Sequence, residues 1–130
     1  MRILVLDDDQ YRLAVFKMRF NNETVTLAKT ANEAIIALAS KAKFNCAFLD
    51  HDLGPKSKDG LAVARYITEM EHNKQPSLVV IHSHNHYRAS EMALALTEAG
   101  VKSQIAPFAL SPSERAMMTR YDSFVEERST

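Results

Sequence analysis

Arg2-Ile3-Leu4-Val5-Leu6-Asp7-Asp8-Asp9 opens the chain with a run of branched apolar residues that stops at consecutive aspartates. A short apolar run bounded by charge reads as a strand buried on both faces, the kind found inside parallel sheets. The pattern recurs at Phe44-Asn45-Cys46-Ala47-Phe48-Leu49, which closes on Asp50-His51-Asp52, and at Leu78-Val79-Val80-Ile81, which closes on His82-Ser83-His84-Asn85-His86. After the first strand, Tyr11, Leu13, Ala14, Phe16, Met18 and Phe20 recur near helical spacing until Asn21-Asn22 supplies turn chemistry. Val25-Thr26-Leu27-Ala28 predicts a short second strand, and Thr30, three residues before Glu33, predicts a capping box opening a helix over Ala31 to Ser40.

The same order continues to the end of the chain. Asp59 reads as the cap of a third helix carrying Leu61, Val63, Ala64, Ile67 and Met70. A fourth helix from Arg88 to Ala99 meets Gly100, a residue suited to the left-handed turn that closes a helix. The last pair is Gln104-Ile105-Ala106, then a helix from Ser113 to Glu127. Five uninterrupted βα units predict an α/β fold: a flavodoxin-like, doubly wound, five-stranded parallel sheet with helices on both faces, one domain over 1–130. In such sheets ligands bind beyond the carboxyl ends of the strands, near the switch in strand order. That rule gathers Asp7, Asp8, Asp50 and the run 82–86 into one place.

Composition narrows the function classes. Lys plus Arg number 16 and Asp plus Glu number 16, so no bulk attraction to nucleic acid or to an anionic membrane follows, and any phosphate chemistry must be local. The apolar start is far too short for a signal peptide or a membrane span, and the lone Cys46 cannot form an internal disulfide, so the expected location is cytoplasmic. Its neighbours give Cys46 the look of a small buried apolar residue. The six methionines have no cofactor spacing and read as gap fillers. No glycine-rich phosphate loop appears, which counts against a nucleoside triphosphatase.

Aspartates at two strand ends supply hard oxygen ligands, and Mg²⁺ favours a few carboxylates together with water and a phosphate oxygen. Asp7 to Asp9 could instead simply cap the next helix, but that leaves Asp50-His51-Asp52 unexplained. Imidazole beside carboxylate suits Zn²⁺, Mn²⁺ or Fe²⁺ better than Mg²⁺, and the sequence does not choose among them. His82, His84 and His86 fall at alternate positions and would share one side of an extended segment; His86 reads as mere polar edge, while His51, His82 and His84 lie close enough to strand ends to act. Lys56 and Lys58 could close over a phosphate, although a lysine pair in a polar loop is ordinarily just solvated.

From Arg2 to about Glu127 the chain resembles the receiver domain of two-component response regulators. The resemblance implies that Asp7 and Asp8 hold Mg²⁺, that Asp50 is the phosphoacceptor, that Asp52 falls where the family offers a metal-binding carbonyl, and that Ser83 is the hydroxyl residue ending strand four. Ala106-Pro107-Phe108 stands in place of the family's Lys-Pro-Phe, so the lysine is absent. The loop Gly54-Pro55-Lys56-Ser57-Lys58 is longer than usual. Asp50-His51-Asp52-Leu53-Gly54 with His82-Ser83-x-Asn85 resembles the divergent cyclic-phosphate-processing receiver family.

That resemblance implies a metal-dependent phosphoesterase acting on a cyclic phosphate, of a nucleotide or an RNA end. Asp7, Asp8, Asp50 and Asp52 would hold a divalent metal, Mg²⁺ first and Mn²⁺ or Zn²⁺ next. His51 or a strand-four histidine, His82 or His84, would activate water or protonate the leaving oxygen, and Ser83 and Asn85 would bind phosphate oxygens. Asp50 could also attack covalently. The competing readings are a stand-alone receiver phosphorylated on Asp50 and a pseudo-receiver that binds a protein partner.

Overall fold

The computed structural model describes residues 1–40, 42–54 and 58–119. Five strands, β1 (Arg2–Leu6), β2 (Thr24–Ala28), β3 (Cys46–Leu49), β4 (Leu78–Ile81) and β5 (Ser103–Ile105), form one parallel sheet in the order β2-β1-β3-β4-β5. The chain leaves β1 toward one edge and returns to pair β3 on its other side, so the switch in strand order lies between β1 and β3. Helices α1 (Gln10–Arg19), α2 (Ala31–Leu38), α3 (Gly60–Glu69) and α4 (His86–Glu98) make the crossovers, and residues 112–119 form the described part of α5. No helix among the described residues is long and apolar enough to cross a membrane.

Alternation along the central strands builds two cores. Leu4 and Leu6 face a cluster with Ala34 and Leu38 of α2, Val63 and Ile67 of α3, and Met92 and Leu96 of α4. Ile3 and Val5 face the other side, with Leu13 and Phe16 of α1 and the half-buried Phe20, Phe48 and Phe108. A strand covered on both sides has no polar face to show, which is why β1 reads as continuously apolar.

Several boundaries move by a residue or two from the expected ones. Phe44 is buried as expected, but the β3 ladder begins only at Cys46, which is half-buried, and burial pushes its thiol up to about 11. Strand β5 starts at Ser103, one residue before the expected Gln104. Helix α4 starts at His86, two residues before Arg88, because the Asn85 side chain accepts from Arg88 N–H and caps it there. The expected caps at Thr30 and Asp59 form, accepting from Glu33 N–H and Ala62 N–H, and Gly100 adopts φ +77°. The fifth helix begins at 112, and the expected stretch 120–127 lies outside the described residues.

Candidate functional site

Register and alternation together assemble the site. Leu6 pairs with Leu49, and Leu49 with Ile81, so the next residue on each of three neighbouring strands falls in one row: Asp7, Asp50 and His82. The ladder runs on through them, with Asp50 N–H donating to Leu6 O at 3.0 Å and His82 N–H to Leu49 O at 3.0 Å. One step beyond Leu6, Leu49 and Ile81, these side chains turn to the α1 face, where the His82 ring lies 5.2 Å from the Phe16 ring. The row continues on β5 with Ala106, whose N–H donates to Ile81 O, so the absent lysine leaves a methyl group at its fourth place.

Asp7 is fully buried, and its carboxylate receives four donors. Oδ1 accepts from Asp9 N–H at 2.8 Å and Arg12 Nη2 at 2.9 Å; Oδ2 accepts from Arg12 Nε at 2.8 Å and His82 Nε2 at 2.9 Å. An ionised carboxylate has about four acceptor positions, so these donors saturate it. Burial alone would raise its pKa, but the bonds from His82, Arg12 and Asp9 N–H outweigh burial and hold it down at about 2, against an ordinary 3.8.

A pH dependence follows. The unfolded chain takes up a proton on this group near pH 3.8 and the folded chain only near pH 2. The stabilisation is therefore complete above the unfolded value and falls away on acidification through the folded one, by about 2 kcal/mol in all. Urea midpoints measured across that range should drop in the wild type and drop less in Asp7→Asn. Equal slopes would remove Asp7 as the cause.

Asp50 is also buried, with Oδ1 accepting from His51 N–H at 2.9 Å. Its pKa is pushed up, first by burial and then by the charge of Asp7, with His82, Arg12 and the His51 N–H opposing. A carboxyl with a raised pKa is better able to hold and pass a proton. The backbone beneath it is pinned by Gly60, the first residue of α3, whose N–H donates to His51 O at 2.9 Å. A Cβ at Gly60 would lie 2.9 Å from both the Asp50 carbonyl carbon and His51 Cα, and closer still to the Asp50 carbonyl oxygen.

None of the other expected residues that the structure describes joins this row. Asp7, Asp50 and His82 each bring one ligand atom within 4.8 Å of the others; among the described residues Asp8 and Asp52 do not enter that group. Asp8 is exposed, with Arg12 Nη2 3.8 Å from its Oδ1. Asp52 accepts from His51 Nδ1 at 2.7 Å, while His51 Nε2, 3.4 Å from Asp59 Oδ2, makes no hydrogen bond among the described residues. The His51 imidazole is thus bracketed by Asp52 and Asp59 and stands apart from the Asp7–Asp50–His82 cluster. Asp9 takes the capping role, accepting from Arg12 N–H at 3.0 Å. Ser83 is buried and its Oγ accepts from Asn85 N–H, whereas His84 and His86 are exposed. Lys56 lies outside the described residues, and Lys58 is exposed.

Because the Asn85 carboxamide oxygen caps α4, Asn85→Ala should cost about 1 kcal/mol of stability. A thermal melt beside a turnover assay separates that cost from any role at phosphate. A melt unchanged from wild type would remove the capping role.

Arg12 is the residue that sequence reading passed over. It sits in the first turn of α1, and helical side chains lean back toward the N-terminus, which aims it at the strand end. Besides its fork on Asp7, its Nη2 lies 3.5 Å from Asp50 Oδ2. The cation beside Asp50 is therefore Arg12 of α1, and His82 also draws the Asp50 pKa down.

The fold has clear relatives. The N-terminal domain of a response regulator/sensory box/GGDEF 3-domain protein from Carboxydothermus hydrogenoformans superposes with TM-score 0.66 at 16% identity, covering 99% of this chain and 98% of that one. A CheY-like receiver domain from Methylobacillus flagellatus gives TM-score 0.66 at 15% identity, over 93% and 97% of the two chains. A response regulator from Burkholderia pseudomallei, with a phosphorylated aspartic acid, calcium ion and citrate, gives 0.60 at 21% identity, over 99% and 72%. No curated protein matches the chain. The model of the family described as Cyclic-phosphate processing Receiver domain matches residues 2–98. With that match spanning well over half of the chain, on a receiver fold whose strand ends gather two aspartates and a histidine, the protein belongs to the cyclic-phosphate processing receiver family.

Proposed function

We propose that this chain hydrolyses a cyclic phosphodiester, of a nucleotide or an RNA end, at the Asp7–Asp50–His82 row. The observation that carries the reading is a buried imidazole and a carboxyl of raised pKa side by side at a receiver's strand ends. Asp7 stays ionised and only accepts, so His82 Nε2 carries the proton of their 2.9 Å bond. That leaves Nδ1 as the nitrogen that exchanges a proton, and it has no hydrogen-bond partner among the described residues. A buried polar atom left unpaired is uncommon and points to chemistry. Water attacks phosphorus and the bond to the ribose oxygen breaks. His82 Nδ1, which carries a free lone pair, takes the proton from water, and the Asp50 carboxyl, whose raised pKa favours its protonated form, gives one to the leaving oxygen, the two-group pattern of general acid–base catalysis.

A divalent metal, expected at Asp7, Asp8, Asp50 and Asp52 with Mg²⁺ first and Mn²⁺ or Zn²⁺ next, meets an obstacle here. The spacing of Asp7, Asp50 and His82 suits a cation, but every acceptor position of Asp7 is taken. The donor set therefore does not fit a metal while Arg12 keeps its place, and the groups that move protons are the chain's own.

The test is phosphate-ester release from 2′,3′-cyclic and 3′,5′-cyclic nucleotides, in chelator and with Mg²⁺, Mn²⁺ or Zn²⁺, using wild type beside Asp50→Asn. Turnover in the wild type that the variant loses supports the reading; no turnover under any condition overturns it. A second reading, phosphorylation of Asp50, is favoured by the likeness to receivers such as the phosphorylated Burkholderia regulator. Acyl phosphate formed on Asp50 with a small phosphodonor would bring it forward.

A further inference from the structure

We propose that Arg12 is the resident cation of this site and that its guanidinium excludes divalent metal ions from it. The inference rests on the reading above only in taking this row as the reaction centre. A single nitrogen makes the case: Arg12 Nη2 lies 2.9 Å from Asp7 Oδ1, 3.5 Å from Asp50 Oδ2 and 3.8 Å from Asp8 Oδ1. Those are the carboxylates that the receiver resemblance assigns to the metal, so the guanidinium stands where the ion would stand.

The arrangement is built rather than incidental. Nε and Nη2 grip both oxygens of Asp7 as a fork, and the positions left on that carboxylate belong to Asp9 N–H and His82. A metal reaching Asp7 must displace one of these donors. The backbone of Arg12 is itself held by Asp9, whose Oδ1 accepts its N–H at 3.0 Å in the first turn of α1. Arginine keeps its charge at every working pH and binds carboxylate in a planar fork that lysine cannot match. A dication entering beside it would meet a fixed positive charge in a partly buried setting, where like charges repel strongly. The same charge lies next to Asp50 and takes over the charge-neutralising part of a metal's role, while the row lacks a lysine at Ala106.

The experiment is a Mn²⁺ titration of the full chain without substrate, read by loss of the free-ion electron paramagnetic resonance signal. Wild type should show no Asp50-dependent binding at sub-millimolar Mn²⁺. Arg12→Gln should bind Mn²⁺ at least roughly tenfold more tightly, as expected when a like charge within a few ångströms is removed. Adding Asp50→Asn to that variant should cancel the gain and so locate it at this row. Sub-millimolar binding by the wild type that Asp50→Asn removes would overturn the proposal, and so would a folded Arg12→Gln that gains nothing. Should Arg12→Gln not fold, the comparison of wild type with Asp50→Asn decides alone. Substrate is absent throughout, so a failure of cyclic-phosphate hydrolysis would sink the proposed function and leave this result standing.

Discussion

Asp50→Asn should reduce cyclic-phosphate turnover by roughly 10²–10⁴-fold, the size of a lost general acid or base, while leaving the fold intact or firmer. Asp50 is buried, and both its burial and the neighbouring charge of Asp7 disfavour its ionised form. An amide removes the charge that has to be buried and keeps an oxygen to accept from His51 N–H, now 2.9 Å from Oδ1. The opposing pull of His82 and Arg12 is lost, but both keep their hydrogen bonds to Asp7. Turnover and urea midpoint measured on one preparation give the two readouts. Turnover that survives in a folded Asp50→Asn removes this row as the reaction centre, whereas a collapse in stability would mean that Asp50 is chiefly structural.

Gly60→Ala should be the most damaging small substitution in the described chain, costing about 3 kcal/mol or more. The added methyl would meet backbone, not the flexible end of a side chain: the Asp50 carbonyl group and His51 Cα. Relief requires α3 to back away from β3, which breaks the bond from Gly60 N–H to His51 O and shifts the residue carrying the Asp50 carboxyl. Activity should therefore fall further than stability alone accounts for. Gly54→Ala is the useful contrast. Gly54 has φ +91°, and among the described residues a Cβ there would come no nearer than 4.0 Å, to Asp8 Oδ2, so alanine meets a conformational penalty of about 1–2 kcal/mol and no clash with them. A Gly60→Ala protein as stable as wild type would show that α3 and β3 can separate freely.

Much of this architecture is legible in the sequence. Strands β1, β3 and β4 announce themselves because a parallel strand covered on both faces needs an unbroken apolar run. Asp7, Asp50 and His82 announce themselves because each is the first polar residue after such a run. Caps at Thr30 and Asp59 follow from side chains that satisfy the first N–H groups of a helix. The strand-four histidines were less tractable. His82, His84 and His86 differ by steps of two, and alternation in an extended chain would place them on one side. The chain instead turns into α4 at Asn85, so only His82 lies in the row, buried, while His84 and His86 are exposed. His51 follows Asp50 directly, but consecutive residues of an extended chain point to opposite sides, and its ring meets Asp52 and Asp59.

The order of elements, the buried runs and the acid at each strand end are local properties, and hydrophobic periodicity with turn and cap chemistry determined them from the sequence alone. Which carboxylate is saturated, which histidine nitrogen is left unpaired and which cation stands beside Asp50 depend on distances between residues far apart in the chain. Arg12 and Asp50 are 38 positions apart, and His82 and Asp7 are 75 apart. Pattern along a chain carries no distance across a sheet; only the packing of α1 over the ends of β1, β3 and β4 brought the guanidinium, the carboxylates and the imidazole within reach of one another.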